Sequence, residues 1–156
     1  MPEQAAGQGT GQGFVHRYPL RVQWEDTDAA GIVYYANYLR YIERGRSDLL
    51  LAHGIDQRGL MDGGESDGRG GAAFAVRACN VEYLKPARLH EDLVVTTAIT
   101  ALRGATVEAR QDVWRGEELL VSAEVRLACI DGRGRARRVP PAVAAVFATL
   151  SPNLSR

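Results

Sequence analysis

An excess of charge of either sign is missing from this chain. Its 156 residues carry 19 Lys and Arg against 19 Asp and Glu, a formal net charge of zero. Non-specific nucleic-acid binders rely on surplus Lys and Arg, so no nucleic-acid partner is expected. Long apolar runs are also missing, and none approaches the ~18 residues of a membrane span. Cysteine is scarce: Cys79 and Cys129 sit in apolar, strand-like stretches without metal-ligand spacing. They read as reduced, buried thiols of a cytosolic chain, with a disulfide as the alternative, and no metal is expected. The opening "MPEQAAGQGTGQG" lacks the basic and apolar regions of a signal peptide. Residues 1–13 read as a flexible Gly/Gln extension, and the chain is expected in the cytoplasm.

What is present fits one soluble domain over residues 14–150, large enough for a core. "FVHRYPLRVQW" alternates, with Phe14, His16, Tyr18, Leu20, Val22 and Trp24 on one face, which predicts a half-buried strand. Pro19 inside it predicts an edge or a bulge. From Ala36 to about His53 the period becomes helical, with Tyr38, Ile42, Gly45, Leu49 and Ala52 in a stripe. Asn37 or its predecessors are placed to cap this helix, and Gly54 to stop it. Gly45 on the apolar stripe is best explained by close approach to a sheet. A glycine-rich loop over 60–73 follows, its role open between a gate and an idle insertion. Four strands are predicted at about 73–84, 92–103, 105–114 and 118–130, and "PPAVAAVF" predicts a short terminal helix begun by its prolines. One helix cannot cover both faces of five strands, so the sheet is expected to wrap the helix. Its open edges and outer face would then favour oligomerisation.

The stretch "DTDAAGIVYYANYLRYIERGRSDLL", with the later "VEYLKPARLHEDLVVTT" and "EVRLACID", closely resembles the hotdog-fold acyl-CoA thioesterases of the 4-hydroxybenzoyl-CoA thioesterase type. Within them it is most similar to the tol-pal-associated, YbgC-type branch, over residues 17–147. The resemblance implies an α+β hotdog fold, one long central helix wrapped by a five-stranded, mainly antiparallel sheet. It also implies a catalytic carboxylate at Asp28, with Asp26 structural. The YbgC-type branch typically carries histidine where this chain has Tyr35; the aryl-CoA branch has tyrosine there and shares the "AGIV" of residues 30–33. Short aliphatic and aryl acyl groups therefore both remain open as substrates. Arg103, Arg133 and Arg135 match positions where the aryl-CoA relatives place arginines facing coenzyme A, with Lys85 and Arg88 as weaker candidates.

The chemistry of the motif supports that role. Aspartates are ordinarily ionised at neutral pH, so Asp28 can attack a thioester carbonyl or take a proton from water. A thiolate leaves readily, so no strong general acid is required. The first N–H groups of a helix have no partner within it and carry partial positive charge. The backbone N–H of Tyr35 is thereby placed to receive the developing oxyanion, which replacing histidine by tyrosine does not remove. Gly31, beside Ala29 and Ala30, allows a tight turn and close approach of substrate, and Ile32 and Val33 can line an acyl pocket. Asn37 is balanced between capping and orienting water. Tyr34, Tyr38, His16 and His53 read as structural, and His90 as solvent-exposed.

The sequence thus predicts hydrolysis of acyl-CoA in a homodimer or homotetramer, with the pocket at a subunit interface. Coenzyme A enters as part of the substrate, no separate cofactor is expected, and acyl carrier protein is a further candidate partner. The alternative is a non-catalytic acyl-carrier or lipid-enzyme binding module in an envelope-associated complex. A hotdog dehydratase is disfavoured, because such enzymes pair a histidine with a carboxylate and the motif has no histidine.

Overall fold

The computed structural model describes residues 14–63 and 70–151. The extension expected over 1–13 and the middle of the 60–73 loop lie outside the described residues. The order is β1 (His16–Arg21), α1 (Asn37–Ala52), α2 (Gln57–Met61), β2 (Ala73–Tyr83), β3 (Asp92–Arg103), β4 (Thr106–Arg115), β5 (Glu118–Ile130) and α3 (Pro141–Thr149), with a 3₁₀ turn at Trp24–Asp26. The strands form one five-stranded sheet, ordered β1-β3-β4-β5-β2, with every pairing antiparallel. β1 and β2 are its edges, so Pro19 lies on an edge strand opposite Val94.

The sheet curves round the 16 residues of α1. Tyr38, Tyr41, Ile42, Gly45, Leu49 and Leu50 face inward against Leu93, Val95, Val113 and their neighbours, so the core lies between helix and sheet. Gly45 lets them meet: a Cβ there would lie 2.9 Å from Cγ1 of the buried Val95. Pro141 starts α3, and the far end of that helix is tied to the sheet by Ile99 N–H donating to Leu150 O at 3.1 Å. This is the hotdog arrangement that the resemblance implied.

Four expectations need correction. Trp24 is not on the strand; the chain leaves the sheet after Val22, and Trp24 is 79% exposed in the 3₁₀ turn. Ala52 is exposed and Leu50 is buried in its stead, so the buried stripe ends at Leu49 and Leu50. The 60–73 loop loses its first residues to α2, which Asp56 caps by accepting the Arg58 N–H at 2.9 Å. Cys79 is exposed because β2 is an open edge, while Cys129 is buried, and the two do not form a disulfide. No helix among the described residues is long and apolar enough to cross a membrane.

Candidate active site

The motif folds as a tight loop between β1 and α1. Asp28 N–H donates to Ile32 O at 2.9 Å and Gly31 N–H to Asp28 O at 3.0 Å, while Thr27 bridges Val33. Gly31 sits at φ +75°, a left-handed conformation in which glycine has no Cβ penalty. The loop is anchored to the segment before β3 by Val33 N–H donating to Ala87 O at 2.9 Å and by an Ile32–Arg88 bridge.

Asp26 and Asp28 differ sharply in environment. Asp26 is buried, and its Oδ2 accepts the Gln23 N–H at 2.8 Å. Its carbonyl accepts from Tyr34 N–H and from Asn37 Nδ2, each at 2.9 Å. The Asn37 side chain therefore ties the helix start to the loop, and it makes no helix cap. Asp28 is exposed, and its Oδ1 accepts the Ala30 N–H at 2.8 Å. The carboxylate is held in orientation by one backbone donor, with its other oxygen open to solvent.

α1 begins at Asn37, with Tyr35 and Ala36 in the turn ahead of it. Asn37 and Tyr38 N–H donate back to the carbonyls of Tyr34 and Tyr35. Among the described residues the Tyr35 N–H has no hydrogen-bond partner, and the residue is 61% exposed. An unsatisfied donor at a helix start is a ready acceptor of negative charge. Ile32 is half-buried, whereas Val33 is in the core and shapes the loop from beneath.

Tyr83 was missed by sequence reasoning. Its ring lies 5.9 Å from that of Tyr35, edge-on, and 5.7 Å from that of Tyr38, so the end of β2 packs on the helix start. The Tyr38 hydroxyl accepts the Ala87 N–H at 3.0 Å, and burial pushes its pKa above the usual tyrosine range. No signal marked Tyr83, because β2 is exposed along both faces and shows no alternation.

One chain does not bring the three arginines to Asp28. The loop adjoins the segment leading into β3, while Arg103 ends that strand, 12 residues further on or roughly 36 Å at ~3 Å per residue. Arg103 pairs with Glu108 at 3.1 Å. Arg133 and Arg135 follow β5 at that same far end, their N–H groups donating to Asp131 Oδ1 at 2.8 and 3.0 Å. Those donors hold the Asp131 carboxyl below its usual pKa. Of the weaker candidates, Lys85 pairs with Glu118, while Arg88 lies beside the loop. Among the described residues no group of three or more His, Cys, Asp or Glu could hold a metal ion.

A curved sheet round one helix, with an exposed aspartate in the loop before it and an N–H without a partner at the helix start, is the arrangement of the hotdog thioesterases. Residues 30–122 match the thioesterase superfamily, and the chain belongs to that family. It is 38% identical over 133 residues to the acyl-CoA thioester hydrolase YbgC of Escherichia coli, covering 84% of this chain and 94% of that one. It is 34% identical over 131 residues to the acyl-CoA thioesterase YbgC of Haemophilus influenzae, covering 83% and 92%. The crystal structure of a probable thioesterase from Bartonella henselae superposes with a TM-score of 0.76 at 36% identity, covering 81% of this chain and 99% of that one.

Proposed function

We propose that this chain hydrolyses acyl-CoA thioesters to the free acid and coenzyme A in the cytoplasm, with Asp28 as the reacting carboxylate. The observation that carries this reading is that one short segment holds both an exposed, backbone-oriented carboxylate, Asp28, and an N–H without a partner, Tyr35, at the helix start. Asp28 either removes a proton from water, which then attacks the carbonyl, or attacks the carbonyl itself to form a mixed anhydride that water opens. On either route the carbonyl oxygen takes the negative charge and Tyr35 N–H receives it. Expulsion of the coenzyme A thiolate then leaves the carboxylic acid on the water route, and on the other route the mixed anhydride, which water opens to the acid and free Asp28. A backbone donor of this type contributes about 3–4 kcal/mol to acyl transfer. Single turnover in ¹⁸O-water separates the routes, since only the mixed anhydride can place label in Asp28.

The working unit is a homodimer built on the open edge of β2. This strand runs from Ala73, paired with Ile130 near the arginine-bearing turn, to Tyr83, packed on Tyr35. Antiparallel pairing of two such edges about a two-fold axis sets the Ala73 end of one copy beside the Tyr83 end of the other. Arg103, Arg133 and Arg135 of the second copy then approach the Asp28 loop of the first and meet the phosphates of coenzyme A. The exposed Val76, Tyr83 and Leu84 on this edge are covered in the same step. Acyl carrier protein, whose thioester carries the same pantetheine arm, is a further candidate partner.

The test is thiol release by the purified protein across acetyl- to palmitoyl-CoA, benzoyl-CoA and 4-hydroxybenzoyl-CoA. Turnover with a clear preference supports the reading and fixes the acyl class. No release from any of them would overturn it in favour of a binding module.

A further inference from the structure

A cavity of about 240 Å³ lies between the second half of α1, the start of β2 and the inner face of the sheet. Its walls include Leu49, Ile99, Val107, Leu127 and Phe147, and Arg46 lines it with them. The guanidinium is not a stray surface charge. Arg46 Nη1 donates to Oε1 of Gln111 at 2.9 Å, and Gln111 is itself fully buried. The Gln111 Nε2 donates to Ile42 O at 2.8 Å and to Thr97 Oγ1 at 2.9 Å, so the amide cannot rotate away. Among the described residues no carboxylate lies within 4.0 Å of Arg46. Glu43, on the same rim, is exposed and makes no bond to it. Arginine carries five donors, and one is used here. The exposed Glu43 attracts this half-buried cation only through space, and with its orientation fixed and apolar walls beside it the guanidinium gains from a ligand that brings an anion into contact.

We propose that this cavity is a binding site for an apolar-bodied carboxylate, a medium-chain or aryl free acid, with its carboxylate on Arg46 and its body along Leu49, Ile99, Val107 and Phe147. An apolar cavity of roughly 150 Å³ suffices for benzene, so the space here admits a chain or ring larger than that. The hydrolysis proposed above releases an acid of this class. Binding is read without turnover, however, so the site and the catalytic reading fail separately.

Calorimetric titration of the wild-type protein with octanoate and with octanol, its uncharged counterpart, tests the proposal without a variant. Octanoate should bind at least about tenfold tighter, the effect of one charge-assisted contact. Arg46→Met should abolish that preference while still taking octanol, which also shows that its chamber is intact. Ala109→Leu, which places a larger side chain on the cavity wall, should weaken both ligands. Equal binding of the two by the wild type, a preference that survives Arg46→Met, or octanoate binding untouched by Ala109→Leu would each overturn the assignment.

Discussion

The Ala30 N–H donates to Oδ1 of Asp28 across 2.8 Å, and this bond turns the carboxylate outward from its loop while Asp26, two residues earlier, is turned in. An amide at position 28 keeps an oxygen for Ala30 but loses the charge that either attacks the carbonyl or accepts a proton. Asp28→Asn should therefore lower kcat by at least ~100-fold with the fold unchanged. Steady-state thiol release beside a thermal melt checks both halves, and wild-type turnover in the variant would remove Asp28 from the mechanism.

Tyr35 separates the contribution of a side chain from that of its backbone. Its ring touches Tyr34 and Tyr83, and Phe preserves both contacts, so Tyr35→Phe should leave kcat nearly unchanged. Tyr35→Pro deletes the N–H, which makes no bond within the described residues. It should cost about 10²–10³ in kcat, the loss seen when one oxyanion donor is removed. If the two variants behave alike, the donor lies elsewhere.

The α1 stripe and the succession of one strand, a long helix and four more strands were legible because each had a local cause. Alternation and helical spacing record burial on one face, and Gly45 recorded the approach of Val95. Trp24 misled because an apolar residue continued the strand's period after the backbone had turned away at Val22. The segment α2 was hidden because five residues with one buried side chain, Leu60, leave no period to read. Tyr83 and the position of the arginines were illegible for a different reason. They depend on which sheet end faces which, and sequence spacing carries no record of that.

Alkaline pH should destabilise the fold through its tyrosines. Burial, then the Asp26 carboxylate beside its hydroxyl, push the Tyr41 pKa above the usual tyrosine range. Burial also raises Tyr38 and Tyr83. In the unfolded chain these groups ionise near pH ~10, while the folded protein keeps its protons to higher pH. The stabilisation is thus complete below about pH 10 and is lost as pH climbs through the raised folded-state values. Urea midpoints should fall over that range, and Tyr41→Phe should flatten the fall. An unchanged slope in that variant would assign the effect to other groups.

The dimer proposal has a test that no single-chain arrangement can imitate. Asp28→Asn copies lack the carboxylate, and copies with Arg133→Ala and Arg135→Ala lack the phosphate contacts, so each homodimer is impaired at both of its sites. When the two are unfolded together and refolded, mixed dimers form. If the arginines act across the β2 edge, a mixed dimer holds one site with Asp28 from the arginine variant and both arginines from the aspartate variant. The other site is doubly defective. Thiol release at low acyl-CoA should then exceed that of either parent. If each chain serves its own aspartate, every site in the mixture keeps one lesion and nothing is gained. Recovery therefore reports the geometry of the site directly, since the far-end placement of Arg133 and Arg135 leaves the second copy as their route to Asp28.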